Sequence, residues 1–473
     1  MALIKKRINS WHDLIGHCKT RSTSIFAVQA GYGKNAWTYN CACYDSLEKS
    51  ISKIISHQED ESNLVLIEAN RSCIYPKNGG QFKHMISRIC KLSDLQSFFL
   101  FGPRGSGKST LLKSFFKDKD CLWFDLLHQK TEFDLSRDPD LILDQWRAKK
   151  SPWIVIDEIQ KIPRLLDVVH KGIEDHKIKF ALTGSSARKL KKGGANLLAG
   201  RAASFLLGPF SAIELGTKFD LEKSLRYGML PQFWSDSSLT EIEYSRSLYS
   251  YVSTYLKEEI ASEQLVRQLE PFRRFLICAA QMNGKIINYS KIERDAAISQ
   301  SQSARHFEIL VDTLIGEYLP PYHSSIRKRQ TQKSKFYFFD TGVVRALNDL
   351  LEEPIRASTY EYGELFETFL MNEFFKLRNF LEKRWKFSYL RTKDDVEIDL
   401  IIEKPRGKPI LIEIKSSSDL KKDSFVQFKK IADEFKGSQK FVLSNTKTAF
   451  NVEDIQCLHW AEGLRQIFEI ESA

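Results

Sequence analysis

The stretch GPRGSGKST at residues 102–110 follows an apolar run, SFFLF, and leads into a helix-like segment, STLLKSFF. It fits the pattern GxxxxGK[ST], in which glycines let backbone N–H groups curl around phosphate oxygens at the start of a helix. In such a P-loop Lys108 reaches the β- and γ-phosphates of a nucleotide, and Ser109 offers its hydroxyl to Mg²⁺. A chance match in a glycine turn is the alternative, but chance rarely supplies both the strand before and the helix after. The residues predicted to bind ATP are Gly102, Pro103, Arg104, Gly105, Ser106, Gly107, Lys108, Ser109 and Thr110.

A second motif, WIVIDE at residues 153–158, supplies the acidic half of the same site. Its apolar residues predict a buried strand that delivers Asp157 and Glu158 at its carboxyl end, where open α/β sheets bind ligands. We expect this strand to lie next to the P-loop strand, with Asp157 holding Mg²⁺ and Glu158 activating the attacking water. Solvated acids at a strand end are the alternative. The adjacent acids favour an ATPase over a small-molecule kinase.

The segment from 182 to 202, LTGSSARKLKKGGANLLAGRA, follows the next apolar run. We expect Ser185 to lie beside the γ-phosphate as a polar sensor of the attacking water. Arg188 or Arg201 is a candidate arginine finger that reaches the γ-phosphate of a neighbouring subunit. A solvated basic loop and phosphate contacts to DNA are the alternatives for these arginines.

The runs around these motifs predict the fold class. Continuous apolar strands that alternate with helices are typical of a parallel sheet covered on both faces, a doubly wound α/β fold. Pro163 lies in the first turn of one intervening helix, where proline is tolerated. The predicted strands are SFFLFG, CLWFDL, WIVIDE, KFALTGSS and SFLLG.

Composition indicates an ordinary globular protein. The 473 residues are 42% hydrophobic and 28% charged, and the length predicts about three domains. No apolar run reaches the length of a spanning helix, and no signal peptide is evident, so we expect a cytoplasmic protein without a membrane. The net charge of +11 favours a phosphate-rich partner, DNA above all. Eight cysteines include no CxxC pair, which predicts free thiols.

Residues 287–339 have the layout of a winged helix-turn-helix. The supporting helix is YSKIERDAA, and the second helix, from 300 to 315, is capped by Ser299 or Ser301. At its exposed N-terminal end we expect Ser301, Ser303, Arg305 and His306 to meet DNA. The alternatives are a protein-docking lid and a solvated hairpin. The wing carries a predicted phosphate-binding tract of Arg327, Lys328, Arg329, Lys333 and Lys335.

Two strands near the C-terminus carry a nuclease-like pattern. In VEIDLIIE, Asp399 shares a face with Glu397, and in ILIEIKS, Glu413 shares a face with Lys415. Paired as a hairpin, the strands gather Asp399, Glu413 and Lys415, the PD-(D/E)xK pattern, in which carboxylates hold a divalent metal and the lysine polarises water. Glu367, on the preceding helix, resembles the additional acid of this fold, so the predicted metal ligands are Glu367, Asp399 and Glu413. An amphipathic hairpin with solvated charges is the alternative.

Together these motifs resemble a known family, the prokaryotic AAA+ P-loop ATPases with a C-terminal PD-(D/E)xK nuclease-like domain of unassigned function. The resemblance spans about residues 81 to 445 and leaves residues 1–80 uncovered. It implies architecture more firmly than cellular role. It rests on GPRGSGKST, VIDEIQKIP, LTGSSARKLKKGGANLLAGRA, LGPFSAIEL, YGMLP, KFYFFDTGVVRAL, GELFETF, EIDLIIE and LIEIKSS.

We therefore predict an α/β protein with a doubly wound parallel-sheet P-loop ATPase core, a winged-helix module and a C-terminal PD-(D/E)xK-like α/β domain. The expected function is ATP- and Mg²⁺-dependent hydrolysis coupled to DNA binding or processing, in a homo-oligomer. A non-cleaving ATP-dependent switch and an ATPase acting on protein partners are the alternatives. The predicted domains are an appended N-terminal α/β segment of unknown role (1–80), the ATPase (81–215), the helical region with the winged helix (216–345) and the nuclease-like domain (355–473).

Overall fold

The computed structural model describes residues 86–471, apart from 186–197, 199, 236–237, 256–268, 324–332, 395 and 421–424. The first apolar runs form a parallel sheet of five strands, as predicted. Alternate residues of one interior strand, Ser97–Phe101, enter different cores: Phe99 and Phe101 pack on one face, Phe98 and Leu100 on the other. The strands are β1 (Ser97–Phe101), β2 (Cys121–Asp125), β3 (Trp153–Asp157), β4 (Lys179–Gly184) and β5 (Ala202–Leu206).

The strand order is β2-β3-β4-β1-β5, so β4 lies between the P-loop strand and the acidic strand. The expectation that β3 adjoins β1 is therefore wrong. The inserted strand pairs through Thr183 with Leu100 on one side and through Ala181 with Val155 on the other. The helices around this sheet are α1 (Lys108–Phe115), α2 (Gln129–Arg137), α3 (Leu141–Lys149) and α4 (Leu165–His176).

The next region is mainly helical. The two helices expected for a helix-turn-helix are joined by three residues, in which Ala297 takes a left-handed conformation with φ 53°. Ser299, one of the two candidate caps, begins the second helix by accepting a hydrogen bond from the Gln302 N–H at 3.2 Å. An antiparallel hairpin, β6–β7, follows. The elements are α5 (Ala212–Leu215), α6 (Leu221–Tyr227), α7 (Pro231–Ser235), α8 (Glu241–Ser250), α9 (Leu269–Gln281), α10 (Tyr289–Ala296), α11 (Gln300–Asp312), β6 (Gly316–Leu319), β7 (Lys335–Phe338) and α12 (Thr341–Leu347).

The C-terminal region packs a long helix, α13, against a mixed sheet of six strands in the order β12-β13-β11-β10-β9-β8. Strands β9 and β10 form the predicted hairpin, with Leu400 opposite Ile412. The elements are α13 (Tyr360–Phe380), β8 (Lys386–Arg391), β9 (Glu397–Glu403), β10 (Ile410–Lys415), α14 (Val426–Ala432), β11 (Gln439–Ser444), β12 (Phe450–Val452), β13 (Ile455–His459) and α15 (Trp460–Phe468).

One hydrophobic core joins the segment after β5 to the C-terminal region. Phe210, Leu215 and Met229 pack in the same cluster as Phe369 and Phe374 of α13. Among the described residues, no helix is both long and apolar enough to cross a membrane.

Candidate functional site

The P-loop is shaped by close backbone approaches. A Cβ atom at Gly102 would lie 2.1 Å from the carbonyl oxygen of Leu207, so only glycine fits between β1 and the segment after β5. Gly105 and Gly107 have φ of 80° and 91°, values that glycine adopts without strain. Gly107 stands immediately before α1, so the loop leads directly into a helix N-terminus, where an anion is favoured.

Lys108 is buried, and its ammonium donates to the carbonyl oxygens of Gly102 at 2.8 Å and Pro103 at 3.3 Å. These two hydrogen bonds hold the Lys108 ammonium against the first residues of the loop. Ser106 is fully buried, and its Oγ has no hydrogen-bond partner in the structure. An unpaired hydroxyl in this loop fits a bound phosphate, and the half-buried Ser109 at the start of α1 fits a hydroxyl ligand for Mg²⁺.

The acidic residues are linked across β4. The Thr183 hydroxyl donates to Asp157 Oδ1 in a short contact and accepts the backbone N–H of Glu158 at 2.9 Å. Glu158 is in the left-handed region, with φ 64°, and a non-glycine residue held there is a common feature of functional turns. The Gln160 amide donates to Glu158 Oε2 and, at 3.1 Å, to the hydroxyl of Ser185. The two acids and Ser185 are therefore neighbours at the carboxyl edge of the sheet.

Sequence reasoning missed three residues that support this site. Gln160 and Thr183 connect the acids to β4 and to the residue that follows it. Arg88 hydrogen-bonds to the backbone of the P-loop. The Arg88 guanidinium donates to the carbonyl oxygens of Ser106 at 2.9 Å and Gly208 at 2.8 Å. It also forms a buried ion pair with Glu214 at 3.0 Å. VIDEIQ contained the signal for Gln160, a polar side chain two residues past the acid, whereas Arg88 had no motif.

Arg201 lies at the opposite edge of the sheet from the P-loop of its own chain. It directly precedes β5, whose first residue, Ala202, pairs with Ser97 at the start of β1. Five strand residues span about 16 Å, so Arg201 does not reach its own nucleotide site. Its exposed guanidinium contacts Glu174. Arg188, the other candidate finger, lies outside the described residues.

A cleft of about 1000 Å³ lies between the helical region and the C-terminal sheet. The sheet contributes Glu397, Asp399, Glu413 and Lys415. The helix α13 adds further acids, and the helical region supplies Lys285 and Lys335 to the opposite wall. We call this the acidic cleft. Its residues come from chain segments more than 100 positions apart, so the cleft exists only when both regions are folded together.

Three predicted nuclease-like residues meet in the acidic cleft. Asp399 Oδ2 accepts the backbone N–H of Ile414 at 2.7 Å, and Lys415 Nζ lies 2.6 Å from Glu413 Oε1. Burial, followed by the charges of Glu413 and Glu367, raises the pKa of Asp399 well above its ordinary value. Burial also raises the pKa of Glu413. Burial opposes the charged form of Lys415, but Glu413 and Asp399 prevail and raise the pKa of its ammonium.

Glu367 and Lys335 form a second group in the acidic cleft, and both differ from expectation. Lys335, expected in a solvent-facing phosphate tract, is 5% exposed and lies 2.5 Å from Glu397 Oε1 and 3.3 Å from Glu367 Oε1. The Tyr337 hydroxyl donates to Glu367 at 2.6 Å. In the described parts of the chain, no three His, Cys, Asp or Glu side chains converge as metal ligands. The expected convergence of Glu367 with Asp399 and Glu413 is therefore absent.

The helix-turn-helix residues divide between surface and core. Ser301, Arg305 and Lys333 are exposed. Ser303 is fully buried, and its hydroxyl donates to the Ser299 carbonyl oxygen at 3.1 Å, so its expected exposure is wrong. His306 is likewise buried, against Phe272 and Phe275, and burial lowers its pKa to about 4. The predicted tract residues Arg327, Lys328 and Arg329 lie outside the described residues.

Helix α13 connects the surroundings of the two candidate sites. Its first half contributes Glu367 to the acidic cleft. Two to three turns later, Lys376 Nζ donates to the Phe210 carbonyl oxygen at 2.7 Å and contacts Glu373. Glu373 in turn accepts the Ala212 N–H at 2.9 Å. This buried pair holds the segment that follows β5, the same segment that Arg88 ties to the P-loop.

Comparison with known protein families fits this geometry. Residues 95–216 match the family described as "AAA domain". The match supports a P-loop ATPase of the AAA type in this part of the chain. Residues 218–353 and 362–462 match two families described only as domains of unknown function, DUF8612 and DUF4143.

Two mycobacterial proteins are similar to this chain over most of its length. They are the uncharacterized proteins Mb2031c of Mycobacterium bovis and Rv2008c of Mycobacterium tuberculosis, each 27% identical over 367 residues, 75% of this chain and 80% of the relative. Among solved structures, the replication initiator DnaA bound to AMPPCP and single-stranded DNA has a TM-score of 0.23 at 9% identity, covering 46% of this chain and 82% of that one. AMPPCP-bound DnaA from Aquifex aeolicus has a TM-score of 0.20 at 10% identity, covering 46% and 81%. These TM-scores are too low to establish a shared fold.

Proposed function

We propose that the AAA-type domain binds and hydrolyses ATP and that its nucleotide state controls DNA handling at the acidic cleft. The observation that carries the ATPase proposal is the arrangement at the carboxyl edge of the parallel sheet. Lys108 lies in the P-loop after β1, and Asp157 and Glu158 lie at the end of β3. These two strands are separated only by β4, which Ser185 directly follows. A phosphate chain held by the loop would extend toward these acids.

In the proposed reaction Glu158 accepts a proton from a water molecule, whose oxygen attacks the γ-phosphorus. The bond between that phosphorus and the bridging β–γ oxygen breaks, and ADP leaves with the bonding electrons. Lys108 neutralises charge on the transferred phosphoryl group, and Ser185 with Gln160 orients the water. Ser109 and Asp157 would hold Mg²⁺, which neutralises phosphate charge when bound.

The decisive experiment for this part compares Glu158→Gln with the wild type in ATP binding and steady-state hydrolysis. The amide cannot accept the proton, so turnover should fall by about 10²–10⁴-fold while ATP still binds. Hydrolysis by Glu158→Gln at the wild-type rate would disprove the assignment of the base.

The DNA part of the proposal rests on the acidic cleft and on the exposed face of α11. Asp399 and Glu413 have the chemistry to hold Mg²⁺ or Mn²⁺, and the buried Glu413 Oε2 has no hydrogen-bond partner, which leaves a lone pair for a cation. The cation would polarise a phosphodiester, and Lys415 would orient the attacking water. Ser301, Arg305 and Lys333 supply proposed contacts to the DNA, together with Arg327, Lys328 and Arg329 outside the described residues.

Coupling between the two sites is supported by α13, because one rigid helix contacts both the acidic cleft and the segment braced by Arg88. Two other functions remain as alternatives: a non-cleaving ATP-dependent switch and an ATPase that acts on protein partners. ATP hydrolysis should be measured with and without single-stranded, duplex and branched DNA. Tight ATP binding with negligible turnover favours the switch. Absence of DNA binding even at low salt favours protein partners.

A further inference from the structure

We infer that the acidic cleft has one divalent-cation position, formed by Asp399 and Glu413, and that the ammonium of Lys335 occupies the place of a second cation, between Glu367 and Glu397. This inference rests on the proposed metal-dependent function of the cleft and deepens it. It assigns to a lysine of the helical region a part in a site otherwise built from the C-terminal domain.

The position of Lys335 is set by the strand to which it belongs. Successive residues of β7 alternate in direction, so Lys335 and Tyr337 share one face while Phe336 and Phe338 enter the core of the helical region. The shared face meets α13, where both side chains contact the same oxygen, Oε1 of Glu367. Lys335 is buried, and its Nζ lies 2.5 Å from Glu397 Oε1 and 3.3 Å from Glu367 Oε1. Its ammonium is therefore held between two carboxylates inside the cleft wall.

The acids of the cleft differ in how many of their carboxylate oxygens already have a hydrogen-bond or ion-pair partner. Glu413 is 7% exposed, and its Oε2 has no hydrogen-bond partner although it lines the cleft. Asp399 uses one oxygen, Oδ2, for the Ile414 N–H. Asp399 and Glu413 lie on paired strands and line the same cleft, and such a pair of carboxylates is the usual setting for a bound divalent cation. By contrast, Glu367 is already held by Lys335 and Tyr337.

The charges of the side chains at these positions also indicate one bound divalent cation. Among the six side chains at the two positions, the carboxylates of Glu367, Glu397, Asp399 and Glu413 carry four negative charges when ionised, and Lys335 and Lys415 carry two positive charges. One divalent cation neutralises the difference, whereas two would leave a double positive charge. The site as built therefore calls for a single metal ion.

The test measures Mn²⁺ binding to the full-length protein without nucleotide, by calorimetry and by the electron paramagnetic resonance of free Mn²⁺. We expect one Mn²⁺ per wild-type chain, lost in Glu413→Gln and retained in Asp157→Asn, which marks the ATPase site. Lys335→Met removes the resident cation but keeps the chain length. It should bind Mn²⁺ at least about tenfold more tightly or take up a second ion, because two carboxylates lose their counterion.

A second variant keeps the test decisive if Lys335→Met does not fold, as judged by ATP binding and circular dichroism. Glu367→Gln retains Lys335 and should still bind one Mn²⁺, since Glu367 is not a ligand. Loss of Mn²⁺ from Glu367→Gln, or unchanged Mn²⁺ binding by a folded Lys335→Met, overturns the inference and leaves any DNA cleavage by the wild type intact. A wild type that binds no Mn²⁺ and cuts no DNA overturns the proposed cleft function itself, and this inference with it.

Discussion

The nucleotide site and the acidic cleft are built in opposite ways. The nucleotide site is made from short contiguous motifs, and its shape depends on backbone: glycines at positive φ, carbonyls around Lys108 and the end of β4. The acidic cleft is made from side chains of separate elements, including Lys335 from another region of the chain. A site whose shape depends on a contiguous stretch of backbone can be predicted from the sequence. A site that depends on side chains from separate elements can be identified only once the fold brings those elements together.

The two sites also differ in charge. The P-loop presents an ammonium and a helix N-terminus, so it is prepared for an anion before one binds. In the acidic cleft each described lysine that contacts a carboxylate partly cancels it, and Glu413 retains an unpaired oxygen. We therefore expect the nucleotide site to depend on one dominant charge and the cleft to depend on a balance among several.

The strongest test of this contrast is Lys108→Ala. The phosphates lose two charge-assisted contacts of about 2–3 kcal/mol each, so ATP affinity should fall by about 10³–10⁴-fold. Lys113→Ala is the matched control, because Lys113 lies on the same helix and is exposed. Fluorescent-nucleotide titration measures both. ATP affinity within tenfold of the wild type in Lys108→Ala would contradict the dominant role of this charge.

A variant of the acidic cleft should separate the two sites. Asp399→Ala should abolish Mg²⁺- or Mn²⁺-dependent DNA cleavage, a loss of about 10³-fold or more if the metal supplies the reactive water, while ATP hydrolysis persists. Linear, nicked and branched DNA should be incubated with each metal, with and without ATP. Lys415→Ala serves as the parallel variant. If the wild type cuts no substrate above the Asp399→Ala background, the cleft does not act as a nuclease.

The position of Arg201 allows a test of action between subunits. Since Arg201 lies at the far edge of the sheet from its own P-loop, Arg201→Ala should lower hydrolysis by up to about 10³-fold while sparing ATP binding. Mixing Arg201→Ala with Glu158→Gln should restore part of the turnover, because some interfaces then combine an intact base with an intact arginine. No recovery at any mixing ratio argues against a shared site.

The smallest expected effect concerns Asp340, which caps α12 in the helical region. Its carboxylate accepts the N–H groups of Met229 at 2.7 Å and Val343 at 3.2 Å, and burial raises its pKa from 3.8 to about 6. Because the folded pKa is raised, Asp340 contributes stability below pH 4 that is lost as the pH rises through 6. Asp340→Asn should remove this dependence, worth no more than about 3 kcal/mol. Thermal unfolding across that pH range checks it, and identical pH profiles for both proteins would contradict it.

The sequence predicted most of the nucleotide site because a P-loop and a strand ending in acids are local patterns. It did not predict the insertion of β4, since strand order depends on which strands pair and not on the order of the motifs. Consequently Thr183 and Gln160, which connect Asp157 to Ser185 across that strand, were missed.

Misjudged positions had a common physical cause. Lys335 follows a basic tract, which favoured a solvent-facing position, but strand alternation turns it with Tyr337 toward Glu367. Ser303 and His306 lie one turn apart on α11 and face the core, where the serine hydroxyl bonds to its own helix. Polarity alone does not reveal the face of a helix or strand, because a buried polar side chain with a local partner looks the same in the sequence as a solvated one.

The core shared by the segment after β5 and α13 limits where this protein can be divided into fragments. Phe210 and Leu215 fall within the match to the AAA family, yet they pack with residues of the C-terminal region. A fragment that ends near residue 216 would expose these apolar side chains and leave Lys376 and Glu373 of the remaining piece without their backbone partners. The AAA-like domain and the C-terminal region should therefore be expressed together if both are to keep these contacts.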